Sequence, residues 1–177
     1  MALFTVTGDG VRSLFAHRPL RAVNPLRFQT FTSLLSTTAL AFFLYLGVVG
    51  PRDPLSNLMP LSFWTVGWIG LVSLSGFVGN LWHWLNPWMG LYRVFIRVKP
   101  PLTLPKSIGV WPAVLLLILF GGFLLADIAP DDPARLARFV AIYWVLTFAG
   151  LILWGPAWMA QVELGRVLFS ALARLGV

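Results

Sequence analysis

Residues 61–85 read LSFWTVGWIG LVSLSGFVGN LWHWL and contain no Asp, Glu, Lys or Arg. A helix of this length extends about 37 Å at about 1.5 Å per residue. The hydrocarbon core of a bilayer is about 30 Å thick, so an uncharged helix of this length is typical of a transmembrane span. This stretch therefore predicts a membrane protein.

Three further apolar runs of similar length occupy residues 28–50, 107–126 and 139–160. The whole chain is 58% hydrophobic and only 11% charged, whereas soluble domains carry roughly 25% charged residues. A chain of this composition can cover itself with lipid but not with polar surface. We predict an all-α integral membrane protein with four transmembrane helices and short interfacial helices.

The net charge of +7 is distributed in the short segments between the apolar runs. Ten Lys and Arg residues fall on the side that holds both termini and the loop after residue 85, and three fall on the other side. Because cytoplasmic loops are enriched in cations, both ends are expected in the cytoplasm. The pattern predicts a cytoplasmic segment (residues 1–27), a transmembrane domain (28–160) and a cytoplasmic amphipathic tail (161–177), and it gives no reason to expect a nucleic-acid partner.

Three short amphipathic segments, residues 11–18, 92–99 and 162–175, are expected to lie along the inner membrane surface. Membrane lipid is the first partner that they predict, and a docked cytoplasmic protein is the alternative. Cations of such segments attract anionic lipid. The expected lipid contacts are Arg18, Arg21, Arg93, Arg97 and Lys99.

Small and polar residues of the second span recur at helical spacing. At about 100° per residue they share one sector of the helix, and such a stripe favours contact with other transmembrane helices. We expect this span to be the most enclosed one and to end or kink at Pro87. The stripe comprises Ser62, Thr65, Ser73, Gly76, Asn80 and His83.

Hydroxyl groups of the first span need no partner outside their own helix. Ser33, Ser36, Thr37 and Thr38 can each bond a carbonyl oxygen one turn earlier.

His83 is the candidate ligand-binding residue. Its imidazole could ligate a haem or chlorophyll metal, contact a quinone, or relay a proton or substrate, or it could simply satisfy the backbone at a helix end. The chain has no cysteine, no second histidine within the four runs, and no catalytic or phosphate-binding motif. We therefore expect no enzymatic activity and no metal site, and the sequence requires no cofactor other than lipid.

The chain also contains a pattern of internal repetition. Pro51 to Pro54 resembles Pro130 to Pro133, and a Trp and a Gly-Leu pair recur at an offset of 80, as Trp64 and Trp144 illustrate. A parallel duplication is typical of some transporters. The alternative is that outer turns favour Pro and Asp, and interfaces favour Trp.

The segment Gly79-Asn80-Leu81-Trp82, continued by Asn86-Pro87-Trp88 and Tyr92-Arg93, resembles a group of bacterial polytopic membrane proteins without an assigned activity. This resemblance implies a multi-pass protein of the bacterial cytoplasmic (inner) membrane. It transfers no functional residue.

These observations together favour a structural, scaffolding or binding subunit of a larger membrane complex, with other transmembrane subunits as partners. A permease, or part of one, is the first alternative. A pigment, haem or quinone site at His83 is the second.

Overall fold

The computed structural model of the protein describes residues 24–96 and 98–175, and within these ranges it is helical without strands. The all-α prediction is therefore confirmed, while the predicted segment 11–18 lies outside the described residues. A short 3₁₀ turn covers Lys106–Ile108. The helices are α1 (Pro25–Val49), α2 (Leu58–Val78), α3 (Trp82–Leu85), α4 (Met89–Phe95), α5 (Trp111–Ala126), α6 (Pro133–Trp154), α7 (Pro156–Gln161) and α8 (Leu164–Leu175).

Three helices, α1, α2 and α6, are long and apolar enough to cross a membrane. The run at 107–126 forms the shorter α5, whose 16 residues extend about 24 Å. It begins only at Trp111 because Gly109 has a φ of 57°, a left-handed conformation that interrupts the chain before it. The membrane-protein interpretation thus rests on three helices of full length and a fourth that is shorter.

Side-chain caps fix where the long helices begin. Asn24 accepts a hydrogen bond from Leu26 N at the start of α1, and Asn57 accepts one from Met59 N at the start of α2. Asp132 caps α6. Such caps satisfy amide groups that lack a partner within the helix.

The second span is shorter at its end than the sequence predicted. Its helix stops at Val78, because Gly79 has a φ of 100°, and the chain resumes as the separate helix α3. The prediction of one helix through residue 85 that breaks at Pro87 is therefore wrong. The fourth span likewise ends at Trp154 instead of residue 160, because the chain bends at Gly155 (φ 65°) and Pro156.

The middle of α2, Ser62–Gly70, is π-helical. A π-helical turn spans one residue more than an α-helical turn, so faces calculated at α-helical spacing shift along this segment. Thr65 and Ser73 are consequently exposed, whereas Ser75 is buried. Only 6% of the most apolar stretch of α2 is buried, against 33% of the corresponding stretch of α6. The expectation that span two is the most enclosed is therefore wrong within this chain.

Helix α1 packs against α6 on one side and against α3 and α4 on another. The first apolar core lies where α1, α2 and α6 meet and centres on Met59 and Leu136. The second lies around Trp88, Leu151 and Met159. Both cores use α6, which explains why this helix is the most enclosed.

The closest approach of α4 to α1 occurs at Gly90. A Cβ atom there would lie 2.9 Å from both Leu34 N and Ser33 Oγ, whereas one at Gly121 in α5 would meet nothing within 4 Å. We expect Gly90→Ala to lower the free energy of unfolding by about 1–3 kcal/mol, since the backbones must separate. The same change at Gly121 should be neutral or stabilising by up to about 1 kcal/mol, because alanine favours helix.

Thermal unfolding of both variants in the same detergent measures this difference. Equal midpoints for Gly90→Ala and Gly121→Ala would show that the α1–α4 contact is looser than described.

Candidate functional site

The chain between α2 and the first turn of α4, residues 79–90, is the most irregular part of the bundle, and we call it the discontinuous segment. Its freed carbonyl oxygens are bonded by hydroxyl groups of α1. Thr32 Oγ1 donates to Trp84 O (2.7 Å), Ser33 Oγ to Asn86 O (2.5 Å) and Thr37 Oγ1 to Pro87 O (2.8 Å). The expectation that span-one hydroxyls bond only their own helix is wrong for Ser33. Thr37 bonds Ser33 O (2.9 Å) as expected and also Pro87 O, and Thr38 bonds Leu34 O as expected.

The discontinuous segment follows the end of α2, but it lies beside the middle of α1 and of α6 and not beside their ends. Ser33, its partner in α1, is eight residues after Pro25, or about 12 Å along the helix. In α6 its partner is Trp144, eleven residues after Pro133 and thus about 16 Å along. Trp88 Nε1 donates to Trp144 O (3.0 Å), and Trp144 Nε1 donates to Pro87 O (3.2 Å).

Burial explains how such a backbone is tolerated between membrane-crossing helices. Non-helical chain at membrane depth must be enclosed by protein, because lipid offers no hydrogen bonds. Asn86 and Trp88 are each only 2% exposed. The side-chain oxygen of Asn86 also accepts a hydrogen bond from Met89 N and so satisfies the first amide group of α4. The segment is therefore a hydrogen-bonded insert within the helical bundle.

Glu163 joins the discontinuous segment to α6 and α8. It is 1% exposed, and its carboxylate accepts from Trp82 Nε1 (2.9 Å) and from Tyr143 Oη (3.0 Å). The amides of Gly165 (2.7 Å) and Arg166 (2.6 Å) also donate to it. All four donors are neutral, and the positive end of the α8 dipole adds to them. Sequence analysis placed this carboxylate in a cytoplasmic tail, whereas the structure places it beside Tyr143, well inside the length of α6.

The described part of the predicted tail packs on the protein itself. Helix α8 contacts the end of α2 together with α3, α5 and α7. Asn80 Nδ2 donates to Ser170 Oγ (2.8 Å), and the Trp82 ring stacks on Phe169 with centroids 5.2 Å apart. A Cβ atom at Gly165 would lie 2.6 Å from the Trp82 indole, so glycine permits this stack.

A second polar cluster surrounds Gln29, which is 3% exposed. Its amide nitrogen donates to His83 O (2.6 Å) and lies 3.3 Å from His83 Nε2. Its amide oxygen accepts from Arg93 Nη2 (2.6 Å).

His83 is exposed, and Gln29 approaches one of its two ring nitrogens. Among residues 24–96 and 98–175, no group of three His, Asp or Glu side chains is close enough to hold a metal ion. Ligation of a pigment, haem or quinone by His83 stays a prediction.

The six residues of the predicted stripe fall into different environments. Ser62 is half-buried, Thr65 and Ser73 are exposed, and a side chain at Gly76 would meet open space. Asn80 and His83 instead have hydrogen-bond partners within the chain.

Of the predicted lipid contacts, Lys99 is exposed and Arg93 is half-buried, while Arg18, Arg21 and Arg97 lie outside the described residues.

Sequence reasoning missed Glu163, Gln29 and Tyr143 as interacting residues. A signal was available for two of them, since Glu163 is the only glutamate of the chain and Gln29 is the only Asn, Gln, Asp or Glu in the first apolar run. A rare polar residue near or within an apolar run usually has a hydrogen-bond partner.

Comparison of the chain with known protein families, with curated proteins and with solved structures finds no match.

The Glu163 carboxylate is expected to be a main stabiliser of this site. In Glu163→Gln one acceptor oxygen becomes an NH₂ group that faces N–H and O–H donors, so we expect the free energy of unfolding to fall by about 2–3 kcal/mol. Asp131→Asn makes the same chemical change at an exposed position and should have an effect below about 0.5 kcal/mol.

Unfolding followed by tryptophan fluorescence measures both variants, because Trp82 is itself a donor to Glu163. A Glu163→Gln protein as stable as Asp131→Asn would contradict the four-donor arrangement.

Proposed function

We propose that the protein is a non-catalytic subunit of a membrane complex and that it binds a transmembrane helix of another subunit along α5. The observation that carries this proposal is a shallow, open groove on α5 that contains a glycine and that residues 24–96 and 98–175 leave uncovered. Its volume is about 630 Å³, and it is lined by Ile118, Leu119, Gly122, Phe123, Ala126 and Asp127.

The two glycines of α5 have no packing role within the described protein. A Cβ atom at Gly121 or Gly122 would meet nothing within 4 Å. Each costs about 1 kcal/mol relative to alanine in a helix, so a helix that keeps them needs a compensating contact. Gly122 and Ala126 are four residues apart on one face, a spacing that lets a second transmembrane helix approach closely.

The interior gives no comparable support for catalysis. The freed carbonyl oxygens of Trp84, Asn86 and Pro87 are bonded by hydroxyl groups, and Glu163 accepts four hydrogen bonds. Groups engaged in this way stabilise a fold and are not poised to transfer a proton or attack a substrate.

The proposal includes a topology. All four runs cross the membrane, α5 by local adjustment of the bilayer to a short helix, and both termini lie in the cytoplasm. The excess of Lys and Arg on that side supports this orientation. The resemblance of residues 79–93 to bacterial polytopic membrane proteins supports the inner membrane as the location, and membrane lipid surrounds the remaining apolar faces.

A leucine at position 122 should fill the groove and exclude the partner helix. We expect Gly122→Leu to reduce the amount of protein that migrates in a large complex after mild extraction at least fivefold, with little change in its own unfolding midpoint. Ala41→Leu adds a leucine to the exposed face of α1 and is the matched control.

Native electrophoresis with mass determination separates the possible results. Loss of the complex in both variants, or in neither, would contradict an interface at α5.

A permease is the second candidate, and the depth of the discontinuous segment favours it. Transporters bind substrate near the bilayer midplane where helices are interrupted. Here the interruption and the buried Glu163 both lie well inside the length of α6. The two halves of the proposed duplication nevertheless differ, because Trp64 sits in a π-helical segment and stacks on Phe120, whereas Trp144 bonds the discontinuous segment.

A permease requires a water-filled path beside α2. Since the chain has no cysteine, single cysteines at positions 76 and 80 can be tested with a membrane-impermeant maleimide. The native Asn80 side chain is bonded to Ser170, so the subunit proposal predicts little labelling of Asn80→Cys. Ser56→Cys, at an exposed position, is the control, and Asn80→Cys should reach less than about a tenth of its labelling. Labelling of Asn80→Cys that approaches the control would favour the permease.

A further inference from the structure

Arg93 is held at the start of α1 by neutral groups. Its guanidinium donates to Gln29 Oε1 (2.6 Å) and to Thr30 Oγ1 (3.4 Å). A guanidinium carries five N–H donors, so these two contacts leave others available. Gln29 is itself fixed by its hydrogen bond to His83 O. The orientation of Arg93 is therefore set by the fold, while its charge is not neutralised there.

A second arginine adds positive charge near Arg93. Burial first, and then the charge of Arg166, lower the pKa of Arg93. In the described part of the chain, the one ion pair joins Arg135 to Asp127, far along the sequence from this cluster. The carboxylate nearest to Arg166 in sequence, Glu163, is fully buried and turned to Trp82 and Tyr143. Guanidinium groups that form no ion pair with an acid among residues 24–96 and 98–175 favour an added anion.

A shallow groove runs along α1 from this cluster. It has a volume of about 350 Å³ and shares Thr30 with Arg93, because the Thr30 hydroxyl accepts the Arg93 hydrogen bond. Its walls are mainly apolar, and Phe31 is 64% exposed. Arg27 stands at the end nearest the helix start. The groove is lined by Leu26, Arg27, Thr30, Phe31 and Leu34.

We infer that this end of the bundle is a binding site for an anionic phospholipid, with the headgroup phosphate at Arg93 and Arg27, the charge of Arg166 adding to the attraction, and one acyl chain along the groove on α1. The site matches such a lipid in the position of its charged and apolar parts. The cations lie at the start of a helix long enough to cross a membrane, and the apolar wall continues from them toward its middle. An amphiphile with an anionic head and an apolar chain has this same distribution.

The inference is independent of the partner helix proposed on α5, since it uses a different helix and different residues. It also goes beyond non-specific surface attraction. Surface attraction depends on the number of cations alone, whereas a built site requires Arg93 in the orientation that Gln29 and Thr30 impose.

Native mass spectrometry of the detergent-solubilised protein, titrated with dioleoyl phosphatidylglycerol or dioleoyl phosphatidylcholine, tests the site. We expect phosphatidylglycerol to bind at least tenfold more tightly. Each arginine near an anionic lipid contributes about fivefold in affinity, so Arg93→Gln and Arg166→Gln should each weaken phosphatidylglycerol binding about fivefold. Arg138→Gln, which removes an exposed charge from α6, should not. Equal affinity for the two lipids, or unchanged affinity in both Arg93→Gln and Arg166→Gln, would overturn the inference.

Two further titrations distinguish the source of the phosphate. Dihexanoyl phosphatidylglycerol, whose chains are too short to fill the groove, should bind at least tenfold more weakly than the dioleoyl lipid, and 10 mM inorganic phosphate should not displace the dioleoyl lipid. Equal binding of the short-chain lipid, or displacement by phosphate, would show a site for a free anion instead. If Arg93→Gln does not fold, Arg27→Gln replaces it, since Arg27 is exposed and its loss leaves the Gln29 contacts intact.

Discussion

The hydrogen bonds between α1 hydroxyl groups and the discontinuous segment are the constraint on which this fold depends. A chain that leaves the helical conformation between membrane-crossing helices exposes carbonyl oxygens that lipid cannot satisfy, and each would cost several kcal/mol. Ser33 bonds the discontinuous segment at two points, because its hydroxyl group donates a hydrogen bond to Asn86 O and accepts one from Gly90 N (2.7 Å). The absence of a side chain at Gly90 allows this approach. Helix α4 can therefore start directly against α1.

Glu163 extends the same principle to the other side of the segment. Its carboxylate collects donors from α3, α6 and α8, so one buried side chain connects three parts of the sequence. Burial of a carboxylate is unfavourable unless hydrogen bonds replace its water. Four donors at this position supply that replacement, and they also hold α8 against the end of α2. The irregular centre of the bundle is thus rigid on both sides, and this rigidity is why we place the partner-binding surface on α5 and not in the interior.

The polar surface of the protein is divided in a corresponding way. One end carries the Arg93 and Arg166 charges, which form no ion pair among the described residues, and the other end carries the Arg135–Asp127 pair together with Asp131 and Asp132. A membrane protein with this asymmetry orients itself by its cations. Gln29 and Thr30 fix the orientation of one of these cations, Arg93, at the lipid site that we propose.

The sequence by itself determined the helical class and the location of the apolar runs, because length, hydropathy and charge act locally along the chain. It also determined the bend at Gly155 and Pro156, which is a backbone property of those two residues. It did not determine the end of α2, since a glycine in the sequence is compatible with a helix interior and with a break, and only the folded structure gives Gly79 its φ of 100°. The six residues of the stripe on span two differ in their environments within this chain, since the π-helical turns change the residue spacing. Only the tertiary structure decided the partners of Ser33, Gln29 and Glu163. These residues meet groups about 50, 60 and 80 positions away (Asn86, Arg93 and Trp82), and no local pattern encodes contacts at such separations.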